Sequence, residues 1–172
     1  MQCHDCTQYQ SSCTECFVKA HRYMPLHWAY VWDDKCGFFE WRDLSTIGGT
    51  IFLGHHGDRC PNPSTAIHFT VVDTNGLHAT LLRYCQCVEG LRCTLVEQLM
   101  NAWFFPGMMQ DPRTAFTFRV LKDFHLHNLE SKKTAYDYLG TLRWLTDNVF
   151  TMELPVSLSS SQPGKGLIGF CR

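Results

Sequence analysis

Metal-ligating side chains crowd the start of the chain: Cys3-x2-Cys6, Cys13-x2-Cys16, His21 and His27 all fall within its first 27 residues. A C-x2-C step lets two thiolates from one tight turn chelate a single ion, and imidazoles accompany thiolates on zinc. One such step says little. Two of them followed closely by two histidines make a zinc signature. Six donors do not divide into tetrahedral sites, so others must come from elsewhere among the ten cysteines and nine histidines. The segment Leu53-Gly54-His55-His56-Gly57-Asp58-Arg59-Cys60-Pro61 offers His55 or His56 with Cys60. Cys85-Gln86-Cys87 offers two more thiols, which project on one face if the segment is a strand. These either complete a site begun by Cys13 and Cys16 or make one of their own. Two or three Zn2+ ions are therefore expected on Cys3, Cys6, Cys13, Cys16, His21, His27, His55, Cys60, Cys85 and Cys87. Cys36, Cys93 and Cys171 have no partner by spacing. His4, His68, His78, His125 and His127 suit surfaces or hydrogen bonds better than metal.

The elements that must position these donors predict an α+β chain. Residues 1–27 form a small Cys/His module with too little apolar surface to fold without metal. Residues 28–92 are β-rich and expected to be antiparallel, with strands at Thr50–Leu53, Ile67–Val72 and Leu77–Leu82. Asp73-Thr74-Asn75-Gly76 joins the last two as a hairpin, Asn-Gly supplying positive φ. Residues 93–148 read as two or three helices. Leu95, Leu99, Ala102 and Trp103 share a face in the first, which should end before Pro106. Thr114–Phe118 is ambiguous between strand and helix start. Leu121, Phe124 and Leu129 continue as helix. Ser131 is expected to cap a last helix burying Ala135, Tyr138, Leu139, Leu142 and Leu145. Residues 149–172 read as an irregular tail.

Hydrophobic residues make up 45% of the 172-residue chain, which excludes wholesale disorder. The net charge is -1, so nucleic acid cannot be gripped by bulk charge and any contact needs a local patch. Candidates are Lys19 and Arg22 beside the metal donors, and Lys132 and Lys133 at the expected helix start. Residues 1–20 contain no apolar run of the kind that opens a signal peptide, and no stretch is apolar enough to span a bilayer. A reducing, intracellular compartment follows as the expectation, where paired cysteines bind metal instead of forming disulfides.

The N-terminal spacing resembles the second half of a B-box-type cross-brace. That resemblance implies one zinc on Cys3, Cys6, His21 and His27, with Cys13 and Cys16 beginning another whose partners lie upstream or later. The wider order of motifs resembles the CxC-type cysteine cluster associated with Kyakuja-Dileera-Zisupton (KDZ) transposases of fungi. It rests on Cys3-x2-Cys6, Cys13-x2-Cys16-x4-His21, Pro25-Leu26-His27, Trp32, Phe38-Phe39, Leu53-Gly54-His55 and Cys60-Pro61. Val72-Asp73-x2-Gly76-x-His78, Cys85-x-Cys87, Gln98-Leu99, Trp103-Phe104-Phe105-Pro106, Pro112-x-Thr114-Ala115-Phe116-Thr117-Phe118 and Thr146-Asp147-Asn148 follow. Thr46-Ile47-Gly48-Gly49 departs from the family pattern, as do residues 151–172, and the expected upstream cysteines suggest N-terminal truncation.

The resemblance implies a non-catalytic zinc accessory domain of a DNA transposase, nuclear, recognising element ends. Its partners would be the transposase catalytic domain, which this chain does not supply, and DNA. Trp28, Tyr30, Trp32 and Trp41 suit stacking on bases, and core packing explains them as easily. An assembly module binding protein or itself through exposed aromatics around residues 28–41 is the competing class, and a decayed transposon fragment the third. A transposase active site needs several carboxylates on two divalent ions, and only Asp73 suggests one. Opening the Asn-Gly turn is its plainer role. No catalytic residue and no membrane contact are expected.

Overall fold

The structure, a computed structural model, describes residues 1–7, 11–87 and 94–146. Cys93, Cys171, Asp147, Asn148 and the expected tail lie outside the described residues, as does the expected boundary at residues 92–93.

The N-terminal part is small and cross-tied. Helix α1 (Thr14–Ala20) spans only two turns and buries Phe17 alone, so its own propensity could not hold it. Strands β1 (Ala29–Asp33) and β2 (Phe38–Arg42) form an antiparallel hairpin. Gln2 and Tyr30 exchange two backbone hydrogen bonds of 2.9 Å, fastening the first residues along β1. Among the described residues, Cys3, Phe17, Ala29, Val31 and Leu44 make the apolar core of this part.

The rest is built on one five-stranded sheet. Its strands are β3 (Ile51–Phe52), β4 (Ile67–Asp73), β5 (Gly76–Arg83), β6 (Phe104–Pro106) and β7 (Thr114–Thr117), in the order β3-β5-β4-β7-β6. The sheet is mixed. The β4–β5 and β6–β7 pairs are antiparallel, whereas β3–β5 and β4–β7 run parallel, which amends the antiparallel expectation. β6 and β7 arise within residues 93–148, read as helical apart from the ambiguous Thr114–Phe118 stretch, so that section also contributes two strands to the sheet.

Central β4 is covered on both faces, and its alternation divides the core. Phe69 and Val71 face a cluster with Leu53, Leu82, Leu99 and Phe104 beneath α2 (Leu95–Asn101). Val72, paired in register with Phe116, faces a second cluster closed by α3 (Phe118–Ser131) and α4 (Ala135–Thr146). A capping box between Thr94 and Glu97 starts α2. Thr117 Oγ1, accepting from the Val120 N–H at 3.1 Å, starts α3.

Several sequence expectations change at these helix ends. Trp103 lies beyond α2 with φ 62° and is 72% exposed, because the chain leaves the helix at Ala102 to enter β6. The ambiguous Thr114–Phe118 stretch is a strand that runs directly into a helix. Ser131 is the last residue of α3 and does not cap α4; Thr134 Oγ1 does so, accepting from the Asp137 N–H at 3.1 Å. Tyr138, Leu139 and Leu142 are buried as expected, but Leu145 is 59% exposed.

The expected hairpin is present, with Asp73 paired to Gly76, so Thr74 and Asn75 form its loop. Gly76 has φ +134°, and a Cβ there would lie 2.6 Å from Thr146 Oγ1, so only glycine fits. Asn75 serves less as a turn former than as a tie. Its Nδ2 donates to Leu26 O at 2.9 Å, its Oδ1 accepts from His78 Nε2 at 2.9 Å, and its carbonyl accepts from Trp28 Nε1 at 3.1 Å. Buried His78 thus sits in a hydrogen bond, and the N-terminal part is secured to the sheet.

Asp73 opens the turn as expected and has a second role besides. Its fully buried carboxylate pairs with Arg119 and accepts from Thr117 Oγ1 at 2.6 Å. Burial alone would raise its pKa, but Arg119 and Thr117 outweigh burial and hold it below the ordinary aspartate value.

Candidate metal centre

Two four-donor groups form among the described residues, each with its ligand atoms within 4.8 Å of one another. The first joins Cys3, Cys6, His21 and His27. Cys3 and Cys6 come from the segment pinned to β1, His21 caps the C-terminus of α1, and His27 leads into β1. Cys6 Sγ lies 3.4 Å from His21 Nε2 and 3.5 Å from His27 Nδ1, which is also 3.5 Å from Cys3 Sγ. One thiol proton cannot serve two imidazoles, and one ring lone pair cannot accept from two thiols. Hydrogen bonding therefore leaves this convergence unexplained, while a shared cation accounts for it. A tetrahedral zinc would place its sulfur and nitrogen ligands about 3.5 Å apart, which is the spacing found.

The imidazole orientations also fit. His21 Nδ1 donates to Phe17 O at 2.9 Å, so its Nε2 lone pair points at the sulfurs, the outer-shell arrangement that fixes a metal-binding tautomer. Burial lowers the pKa of His27 and favours its neutral, ligating form. Burial pushes the Cys3 thiol up to about 11, a proton that a divalent cation would displace. The Trp28 N–H donates to Asp5 Oδ2 at 3.1 Å, bracing the Cys3–Cys6 turn against the next strand.

The second group joins His55, Cys60, Cys85 and Cys87. His55 lies in a short 3-10 turn (His55–Gly57) after β3, and Cys85 and Cys87 follow β5, beside which β3 runs in parallel. Cys85 Sγ is 3.3 Å and Cys87 Sγ 3.6 Å from His55 Nε2, and Cys60 Sγ is 3.4 Å from Cys87 Sγ. The Cys87 N–H donates to Cys85 Sγ at 3.3 Å. Burial tends to raise the Cys60 pKa, but hydrogen bonds from Cys87 and Cys85 outweigh it and bring it to about 7. The hydrogen bond to Cys60 sends Cys87 to about 11, as when crowded sulfurs share protons. His55 rather than His56 joins this group, and both adopt positive φ, of 46° and 56°.

Two supports of this second group escaped the sequence reading. Gly54 has φ +77°, and a Cβ there would lie 2.9 Å from Cys85 Cβ, so the donors can assemble only around a glycine. Buried Gln98, on α2, makes a two-point clamp on the Cys85 backbone. Its Oε1 accepts from the Cys85 N–H at 2.8 Å and its Nε2 donates to Cys85 O at 2.9 Å. Its place in the Gln98-Leu99 motif was the one available signal.

Cys13 and Cys16 join neither group. They stand exposed at the start of α1, and the second group closes on its own four residues without them, which corrects the idea that it completes their site. The Cys16 backbone N–H lowers the Cys13 pKa, and the side-chain hydrogen bond between the two thiols raises that of Cys16. A third group, Asp33, Cys36 and Glu40, is less suited to a cation because Arg42 already pairs with both carboxylates, at 3.3 and 2.9 Å. Of the basic candidates, Arg22 pairs with Asp58 at 2.8 Å. Lys132 is the C-cap of α3, where the helix dipole favours a cation, and so does not open the expected helix.

Among the described residues no helix is long and apolar enough to cross a membrane. No curated protein and no solved structure matches the chain. Residues 44–150 match the family described as CxC2 like cysteine cluster associated with KDZ transposases. That span contains all four donors of the second group, together with Gly54 and Gln98, whereas the first group lies ahead of it. The chain belongs to the CxC2 like cysteine cluster family associated with KDZ transposases.

Proposed function

We propose that Cys3, Cys6, His21 and His27 hold one structural zinc ion and that His55, Cys60, Cys85 and Cys87 hold a second. The module they stabilise is a non-catalytic accessory part of a nuclear KDZ-type transposase machinery that contacts the DNA of element ends. One observation carries this reading: the S/N donors fall into two closed sets of four. Four protein ligands leave no position for a substrate or an activated water, so such an ion contributes folding energy instead of hydrolysis. When bound, it cross-links loops whose apolar core is slight. Residues 1–27 then form the first zinc unit, docked on the β-rich section through Asn75.

Metal analysis of protein purified without chelator tests the reading. Two equivalents of zinc are expected, and none would sink it. A specific observation favours a second reading, assembly with protein. Trp32, Phe38 and Trp41 on the β1–β2 hairpin are 49%, 54% and 51% exposed, a density of aromatic surface suited to an interface. The two readings separate by salt. DNA binding weakens steeply as salt rises, whereas self-association through this hairpin follows protein concentration and resists salt.

A further inference from the structure

Between α1 and the edge strand β3 lies a cavity of about 330 Å³, at the lower end of the range for small-molecule sites. Lys19, Arg22 and Arg59 line it, and no carboxylate does. Asp58 lies nearby and engages Arg22 at 2.8 Å while accepting from Tyr23 Oη at 2.7 Å. Lys19 and Arg59 have no acidic partner among the described residues. Leu44 and Phe52 supply an apolar wall beside these cations. Each cation also lies within two residues of a proposed zinc ligand. Lys19 and Arg22 flank His21, which itself borders the cavity, and Arg59 precedes Cys60. Zinc at the two sites would thus order the walls from both sides.

A cationic rim beside an aromatic wall matches the two halves of a phosphorylated nucleotide. A phosphomonoester carries about -1.5 to -2 charges near neutrality, suited to the two cations left without an acidic partner. A base can stack on an aromatic side chain whatever its identity. We propose that this cavity binds the 5′-phosphorylated terminal nucleotide of a DNA strand, with Lys19 and Arg59 on the phosphate and Phe52 against the base. The proposal rests on the DNA-contact reading above and gives that contact a place.

The zinc-loaded full chain is titrated by fluorescence anisotropy into a 3′-labelled single-stranded deoxyoligonucleotide bearing either a 5′-phosphate or a 5′-hydroxyl. The phosphorylated strand is expected to bind at least tenfold tighter. Lys19→Glu and Arg59→Glu should each remove that preference with zinc content unchanged, and Asp58→Asn, by freeing Arg22, should increase it. If Arg59→Glu loses zinc, Lys19→Glu at its exposed helical position carries the test. Equal, salt-sensitive affinity for the two strands would overturn the cavity assignment and leave the DNA reading standing. No binding of either strand at any salt would overturn both. A Lys19→Glu protein that keeps the full preference, or competition by thymidine 5′-monophosphate at the same concentration as the phosphorylated strand, would also overturn the strand-end assignment.

Discussion

Replacing Gln98 with alanine should weaken the second metal site without touching any of its ligands. Gln98 satisfies both the N–H and the C=O of Cys85 from a buried position on α2. Truncation leaves two backbone groups without partners, at about 1–3 kcal/mol for each one that stays buried. Cys85 is only half-buried, so water reaches part of what is exposed and about 2 kcal/mol is the expected loss. The clamp holds the Cys85 backbone in the geometry that presents its sulfur to the site. That loss should therefore appear in zinc affinity, where about 2 kcal/mol corresponds to roughly 30-fold, within the range known for outer-shell changes. Competition of the zinc-loaded protein against a chromophoric chelator would resolve two release steps, one moved about 30-fold and the other unmoved. If Gln98→Ala releases both ions at the wild-type chelator concentrations, the clamp does not position the site. If both steps move together, the two groups are not separate sites.

Cys6→Ser should remove one equivalent of zinc by metal analysis, whereas Cys13→Ser should remove none, because Cys13 is outside both donor sets; loss of metal on Cys13→Ser would restore a third site. Gly54→Ala combines a φ of +77° with a Cβ 2.9 Å from Cys85 Cβ, so it should destabilise the fold by about 2 kcal/mol or more and lose second-site zinc, read by denaturant melts and metal content. Asp73→Asn removes the buried partner of Arg119. Because Arg119 is 67% exposed and can turn to water, the expected cost at neutral pH is about 2 kcal/mol. The folded pKa of Asp73 is depressed, so its contribution is present above the ordinary aspartate value and is lost as pH falls through the folded value. The gap in stability between wild type and Asp73→Asn should therefore narrow on acidification below that value in chelator-treated protein. A gap that widens in acid would show the sign to be wrong.

Much of this was legible locally. The strands around Asn75-Gly76 follow from β-branched alternation and a turn dipeptide, and the donors Cys3, Cys6, His21 and His27 stand out by spacing. Element ends were less legible, because tertiary pairing overrode helical periodicity at Trp103 and a threonine two residues from Lys132 took the capping role from Ser131. Asp73 looked like no more than a turn residue because the Arg119 that pairs with it lies far along the chain.

The sequence by itself determined the donor inventory, the α+β class and the family motifs, since each depends on residue type at short spacing. Only the tertiary structure decided how the donors divide. Cys13 and Cys16 are spaced as well as any ligand pair, yet the parallel pairing of β3 with β5 brings His55 to Cys85 and Cys87 and leaves those two thiols outside. A cysteine's chemistry is written in its type, but the other three corners of its tetrahedron are set by strand register and by glycines such as Gly54 that let backbones approach. These are long-range facts that no local spacing contains.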